Sequence, residues 1–382
     1  MATGQLETRF DEEAMQVYFR EGEKRARALE NRGPIRFGPD GKIHSDIVEA
    51  YGRVGFYIFE DVLGAEELAE LKAGFLEVMD RLPARRDSPL DARGRPALGS
   101  DRDTPLVMWS KPLADPLGGT QLANGRHSVK MDVPEPPKDG PEDTPFIIMG
   151  PLEHSEAALC TYAHPGLLAV VEAINGDDFV PYNEAWIVKK PGEGAAFSWH
   201  QDGTTHWDAE DWTPFTHGFN FMVQMYDCTP ANAIWYVPGT HKVGRLDIRQ
   251  VVREAGGNRL PDAVPLICKA GDVAISNRQI LHGSFPNLSG DMRATFNMGF
   301  HRRKSVVGAS THGIDGAWVT YSDARVDKRA EMNGYGIAAR RQRHPEEAPY
   351  RYRPHIEAGA RFDWAPESRD AVRDYQKLDL FI

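Results

Sequence analysis

Phe197-Ser198-Trp199-His200-Gln201-Asp202-Gly203 is the stretch whose reading decides the fold. Its apolar, aromatic approach (Ala195, Ala196, Phe197, Trp199) reads as a strand, and Gly203 can end it. On a strand, residues i and i+2 point to the same face, so the His200 imidazole and the Asp202 carboxylate can reach one metal ion together. With 13 His and 56 acidic residues in 382, pairs of this spacing also arise by chance, and context has to choose among them. His44-Ser45-Asp46 opens a helix with Ser45 or Asp46 as its cap, where i and i+2 do not share a face. His206-Trp207-Asp208 lies in a polar run without alternation, and the His-x-Glu pairs at His154, His344 and His355 sit among Pro, Arg or polar neighbours. Only His200 and Asp202 have a strand behind them.

Downstream the strand pattern continues. Phe219 to Tyr226, Ile234 to Val237, Val273 to Ile275 and Ala294 to Phe300, with Trp186 to Val188 upstream, are short runs separated by turn residues, as in an all-β sandwich or barrel. The expected fold is mainly β with flanking helices, a jelly roll. Three helices are expected before it: a charged amphipathic one over residues 6–31, one over 45–53, and one from Ala65 to Leu82 with Leu68, Leu71, Phe75, Val78 and Leu82 on one face. A strand is expected at Gly55 to Phe59, and a short helix at 165–174, stopped by Asn175-Gly176. Residues 83–105 and 133–145, rich in Pro, Gly and charge, read as loops. The whole chain, 1–382, is expected to form one domain: an N-terminal helical arm (1–44), a jelly-roll core (45–303) and a C-terminal covering extension (304–382) with helical pieces near 324–332 and 367–377.

A net charge of −11 argues against a nucleic acid or an anionic membrane surface as partner. Three widely spaced cysteines make no disulfide framework and fit a reducing cytoplasm. The N-terminus lacks a basic start with an apolar core, and no run approaches the roughly 18 apolar residues of a membrane helix. A soluble, cytoplasmic protein is expected, its N-terminal arm packing on the body or on a second subunit of a homodimer.

A third metal ligand must come from a strand far off in sequence. His282, in Ile280-Leu281-His282-Gly283-Ser284, is the best candidate, with His217, His241 and His301 as rivals. Two histidines and one carboxylate on one face of an octahedron are the facial triad of non-haem Fe(II) oxygenases, with open positions for oxygen chemistry. Arg293 starts the next strand. A guanidinium inside a strand-rich core needs an anionic partner, either a bidentate carboxylate ligand or a protein carboxylate such as Asp291.

Taken in order, Lys189-Lys190-Pro191-Gly192 leading into Trp199-His200-Gln201-Asp202, then Ala231 to Lys242 with its Pro238-Gly239-Thr240-His241 turn, then His282-Gly283-Ser284 with Asn287, Ser289 and Arg293, give residues 45–303 a marked resemblance to the phytanoyl-CoA dioxygenase family of Fe(II)/2-oxoglutarate oxygenases. The resemblance implies a double-stranded β-helix, a cupin-like jelly roll, with His200, Asp202 and His282 as iron ligands and O2 as oxidant. It implies Arg293 and Ser284 on the distal carboxylate of 2-oxoglutarate, with Lys189 and Phe197 near the same pocket, and makes His241 structural. Asn232-Ala233 departs from the family's usual Asn-Gly, and Gln224 adds a polar side chain to a usually apolar strand, which suggests that it faces the substrate. His206 and Trp207, just past the metal strand, read as substrate wall or as part of a surface loop. The expected reaction is hydroxylation of a small molecule of secondary-metabolite, amino-acid-like or acyl type. Desaturation, cyclisation and epimerisation use the same site, while Asp202 argues against halogenation. A non-catalytic metal-binding jelly roll is the competing class, and Arg293 with Ser284 discriminates against it. A zinc hydrolase lacks an evident general base.

Overall fold

The protein is described here by a computed structural model covering residues 10–102, 105–203, 213, 218–312 and 317–373. Twelve strands build two facing sheets: β1 (Arg32–Gly33), β2 (Phe56–Phe59), β3 (Val107–Ser110), β4 (Thr144–Met149), β5 (Phe179–Lys189), β6 (Phe197–His200), β7 (Gly218–Gln224), β8 (Trp235–Tyr236), β9 (Val264–Pro265), β10 (Val273–Asn277), β11 (His282–Ser284) and β12 (Arg293–Arg302). The major sheet has eight strands in the order β1-β2-β10-β7-β12-β5-β4-β3, and the minor sheet has four in the order β6-β11-β8-β9. Apart from β1 with β2, neighbouring strands run antiparallel. This is a jelly roll, as the alternation in the sequence implies.

Strand β12 shows why the sheet has two differently used faces. Ala294, Phe296, Met298 and Phe300 enter the large core, while Arg293, Thr295 and Asn297 line a cavity between the sheets. Strand β7 alternates the same way, sending Phe219, Phe221 and Val223 to the core and Asn220 and Met222 to the cavity. After α1 (Glu12–Arg27), helices α2 (Ser45–Val54) and α3 (Ala65–Asp80) cover the core face together with helices Glu156–Tyr162, Pro165–Asn175 and Asp323–Arg343, sharing one core that includes Tyr51, Leu71, Phe75, Leu159, Leu167 and Val326. Buried Arg340 ties the last of these helices to α3 through Glu67 at 2.7 Å and to Glu347 at 2.5 Å. Among the described residues no single helix is long and apolar enough to cross a membrane.

Helix α1 lies on the outer face of the minor sheet. Met15 and Phe19 join Trp199, Trp235 and Phe285 in one cluster, and Tyr18 stacks on Trp235 with centroids 4.5 Å apart. The approach is close because residue 22 is glycine: a Cβ there would overlap the Trp235 ring.

Several elements differ from expectation. The first helix spans Glu12–Arg27, shorter than 6–31, because Asp11 caps it by accepting from the Ala14 amide. The C-terminal helix is longer than 324–332, running from Asp323 to Arg343, since Gly334 and Gly336 inside it pack against Phe362 and Ala163 instead of breaking it. The helical piece near 367–377 is a short turn and helix over Pro366–Val372, and residues beyond 373 lie outside those described. Strand β3 and most of β4 fall in a region where no strand was expected, and β5 begins six residues before Ala185. Pro181, Asn183 and Glu184 hide the start of β5, because proline and polar residues demote a run that would otherwise read as a strand.

Substituting Gly22 by Val is expected to destabilise the fold by about 1–3 kcal/mol, the usual scale of overpacking. Chemical denaturation would measure it, and trypsin would then cut within Lys24 to Arg27 faster than in the parent protein.

Candidate functional site

Strands β6 and β11 are antiparallel neighbours in the minor sheet, and their register places His282 opposite His200. The two rings lie 4.0 Å apart, and Asp202, two residues past His200, brings its carboxylate to 3.6 Å from His200 Nε2 and 3.9 Å from His282 Nε2. The ligand atoms of the three residues all lie within 4.8 Å of one another. Each imidazole is oriented by the backbone: His200 Nδ1 faces the Ser198 carbonyl at 2.8 Å and His282 Nδ1 faces the Ile280 carbonyl at 2.9 Å. A proton on Nδ1 donated to those carbonyls leaves each Nε2 lone pair turned toward Asp202, which is the arrangement metal coordination requires.

Electrostatics favour, for all three groups, the protonation states that metal coordination requires. Burial pushes both histidines below their ordinary value, helped at His200 by the neighbouring His282 and His127, so they are neutral near neutral pH. Burial alone would raise the Asp202 carboxyl, but Arg126, the two histidines and Arg278 outweigh it and hold the group well below the usual carboxylate range. Arg126 Nη1 lies 3.1 Å from one carboxylate oxygen, Asn220 donates to the other at 3.3 Å, and the Asp202 amide donates to the Arg278 carbonyl at 2.7 Å.

Arg126 and His127 were not singled out in the sequence. The His127 ring packs 4.1 Å from His200, its Nδ1 is 3.1 Å from Ser198 Oγ, and burial, with Arg126 beside it, pushes its pKa down to about 3. They arrive on a turn in which Ala123, Asn124 and Gly125 all have positive φ, and Asn124 is anchored to Thr311 at 2.9 Å. The Asn124-Gly125 dipeptide signals such a turn, but nothing local says which strand it overhangs.

The cavity, about 110 Å³, is lined by the triad, Arg126 and His127, the apolar Leu117, Ile147, Ile187 and Ile234, and the polar ends of β5, β7 and β12. Arg293 is 1% exposed, yet its Nε, Nη1 and Nη2 have no hydrogen-bond partner, and neither does the buried Ser284 Oγ. No carboxylate of the described residues pairs with Arg293, Asp291 included; burial instead pulls the guanidinium below its ordinary value, with the Cys228 thiol as its main favourable neighbour. An unpartnered guanidinium and an unpartnered hydroxyl lining one cavity are suited to receive an anion.

The remaining sequence candidates separate. Phe197 lines the cavity, stacked on Phe146 at 4.2 Å. Lys189 is opposite Arg293 in the β5–β12 register, but its Nζ donates to the Phe285 carbonyl and it does not line the cavity. Burial and the facing Arg293 push its pKa well down. Gln224 does not line the cavity either: its Oε1 accepts from Cys228 Sγ at 3.0 Å and Thr295 Oγ1 at 3.1 Å. His206, Trp207 and His217 lie outside the described residues. His241 packs against Gly55 with Nε2 3.1 Å from the Gly52 carbonyl, and His301 contacts Arg278 at 2.8 Å. In His44-Ser45-Asp46 the cap is His44 itself, and because its backbone is not yet helical the two side chains do meet, at 2.6 Å, on the surface.

The sequence profile of the phytanoyl-CoA dioxygenase family matches residues 51–295. A curated rice protein (Oryza sativa subsp. japonica), phytanoyl-CoA dioxygenase 1, is 30% identical over 115 residues, 27% of this chain and 38% of that protein, so the chain spans less than two-fifths of that relative's length. Among solved structures, EctD from S. alaskensis with 2-oxoglutarate and 5-hydroxyectoine has a TM-score of 0.49 at 19% identity, covering 74% of this chain and 83% of that one. The non-haem α-ketoglutarate-dependent epimerase SnoN from nogalamycin biosynthesis has a TM-score of 0.44 at 14% identity, covering 70% and 84%.

Replacing His200, Asp202 or His282 by Ala is expected to weaken binding of Co(II), measured by titration calorimetry, by about 100-fold or more, since loss of an outer-shell partner alone typically costs 10–100-fold. His241→Gln is expected to leave Co(II) affinity unchanged while lowering the melting temperature.

Proposed function

The chain belongs to the phytanoyl-CoA dioxygenase family, and on that premise we propose that it is a non-haem Fe(II)/2-oxoglutarate-dependent oxygenase that hydroxylates an unactivated C–H bond of a small-molecule substrate. His200, Asp202 and His282 would hold Fe(II), and Arg293 with Ser284 would hold the far carboxylate of 2-oxoglutarate. The bound iron, 2-oxoglutarate and O2 supply the oxidising power, with succinate and CO2 as co-products.

The observation that carries this reading is the unpartnered Arg293. A buried guanidinium without a counter-charge costs stability, and a metal-binding jelly roll without turnover has no use for one. A dicarboxylate supplies the missing charge, and Ser284, on the strand that carries His282, has a free hydroxyl to share in binding it. Asp202 contributes the anionic ligand, and the ion pair with Arg126 and the bond from Asn220 fix its plane. Leu117, Ile147, Ile187, Phe197 and Ile234 give the cavity apolar walls that keep bulk water from the reacting groups.

Arg293→Ala is expected to raise the dissociation constant of 2-oxoglutarate, measured on the metal-loaded protein, by roughly 10- to 150-fold, the equivalent of about 1.5–3 kcal/mol for hydrogen bonds to a charged group. Ser284→Ala should lose less, about 1 kcal/mol. Succinate release should require Fe(II), 2-oxoglutarate and O2 together; unchanged 2-oxoglutarate affinity in Arg293→Ala would remove that residue from the assignment.

A further inference from the structure

The cavity floor is a ladder whose two ends differ in chemistry. Along β12 Arg293, Thr295 and Asn297 line the cavity, and alternation puts Gly299 next on the same face of the strand. Their register partners are Lys189 on β5 at the first rung, Ile187 and Gln224 at the second, Ala185 and Met222 at the third, and Asn220 on β7 at the last. Arg293 marks the anion-binding end. Six residues of strand, about 20 Å, separate it from Gly299, which puts the last rung at the opposite end of the floor.

At that last rung the sheet carries a bulge. Met298 pairs with Glu184 and Phe300 with Pro181, so Tyr182 and Asn183 together stand opposite the single residue Gly299. A bulge re-aims side chains, and here it turns the Asn183 amide across the strand. A Cβ on residue 299 would overlap Asn183 Oδ1 and the Tyr182 ring and would stand 3.0 Å from Asn220 Oδ1, so only glycine leaves room for two amides to converge. Both oxygens are buried without a hydrogen-bond partner, at residues only 7% and 8% exposed. Asn220 Nδ2 is committed to Asp202, which fixes Oδ1 as the outward acceptor, and no hydrogen bond holds the Asn183 amide. Whichever edge of Asn183 faces Asn220, one donor and one acceptor remain for a ligand.

We propose that Asn183 and Asn220, set by the bulge opposite Gly299, form the substrate-recognition end of the cavity and select a neutral, hydroxylated small molecule. A hydroxyl donates and accepts at once, which is what the amide pair leaves open. An ammonium group offers only donors and would leave the amide N–H of Asn183 unanswered, while the Asp202 carboxylate is already paired with Arg126 and Arg278 lies 3.9 Å over the Tyr182 ring. A carboxylate offers only acceptors and would face Asn220 Oδ1. Leaving two buried amide oxygens unpaired is costly, so the ligand that satisfies them is selected over analogues that do not. The contact between Asn220 and Asp202 ties this subsite to the metal carboxylate, so the held hydroxyl lies close to the carbon that reacts. This deepens the oxygenase reading and rests on it.

The test is saturation-transfer NMR on zinc-loaded protein, with and without 2-oxoglutarate, using three probes of one skeleton: trans-1,2-cyclohexanediol, cyclohexylammonium and cyclohexanecarboxylate. The diol is expected to bind the parent protein best and to lose about fivefold in affinity in Asn183→Leu. In the isosteric Asn183→Asp, which is charged and acceptor-only, preference is expected to move to cyclohexylammonium. The affinity of 2-oxoglutarate, measured on the same samples, should be unchanged in both variants. Equal diol binding in Asn183→Leu, a charged probe leading in the parent protein, or no binding of any probe would each overturn the assignment. Failure of the oxygenase reading would appear separately, as absence of 2-oxoglutarate binding to the parent protein.

Discussion

The antiparallel pairing of β6 with β11 is the constraint on which the rest of the structure depends. Setting His282 opposite His200 brings together two imidazoles that are 82 residues apart in the chain, and a slip of one residue would turn one of them to the other face of the sheet. The surrounding architecture holds that register. Trp199 and Phe285 on the outer side of the minor sheet are clamped by α1, while Trp199 Nε1 donates to the Asn258 carbonyl at 2.9 Å and Gln201 Nε2 to the Gln279 carbonyl at 2.7 Å. Gly283, between the paired strands, is small because a Cβ would stand 3.0 Å from the Phe197 carbonyl and 3.2 Å from the Trp199 ring. Packing thus fixes the relative placement of the two imidazoles, which is the sense in which the candidate site is preorganised.

The second organising fact is an imbalance of charge. Arg126 and Arg293 line the cavity, with Arg278 behind Tyr182, against the single carboxylate of Asp202 among the lining groups. Arg126 answers Asp202, Arg278 is bound to Tyr182 and His301, and Arg293 is left over. A net positive, largely dehydrated interior is costly for an empty protein and suited to one that takes up an anion. The polar character changes from one end of the floor to the other, from guanidinium through hydroxyl to carboxamide, and this follows from nothing more than the period-two alternation of β12 with a bulge at its far end.

The sequence was informative where chemistry and periodicity coincide. His200 ends an aromatic strand with Asp202 two residues past it, His282 follows an apolar run, and Arg293 opens an alternating strand; each of these stands out locally, and most strands downstream of them do too. What escaped was set by tertiary context. Asn124-Gly125 announces a turn, but that it carries Arg126 and His127 over Asp202 and His200 depends on a fold whose strands are distant in sequence. Gln224 looks like a substrate contact because it is polar in an apolar strand, yet its amide is occupied by Cys228 and Thr295. Lys189 shares the Arg293 rung but turns its Nζ to a backbone carbonyl. Asn183 went unnoticed because Pro181 masked the strand it sits on, and Gly299 because a glycine inside a strand declares a close approach without saying to what.

The central claim is that the His200, Asp202 and His282 cluster and the Arg293 receptor serve one bound pair, Fe(II) and 2-oxoglutarate. Anaerobic addition of Fe(II) and then 2-oxoglutarate to metal-free protein, followed by visible absorption spectroscopy, tests it most directly. The account predicts the weak charge-transfer band of a chelated α-keto acid, absent when His200 is Ala. A folded protein that binds Fe(II) and yields no band on addition of 2-oxoglutarate would contradict it.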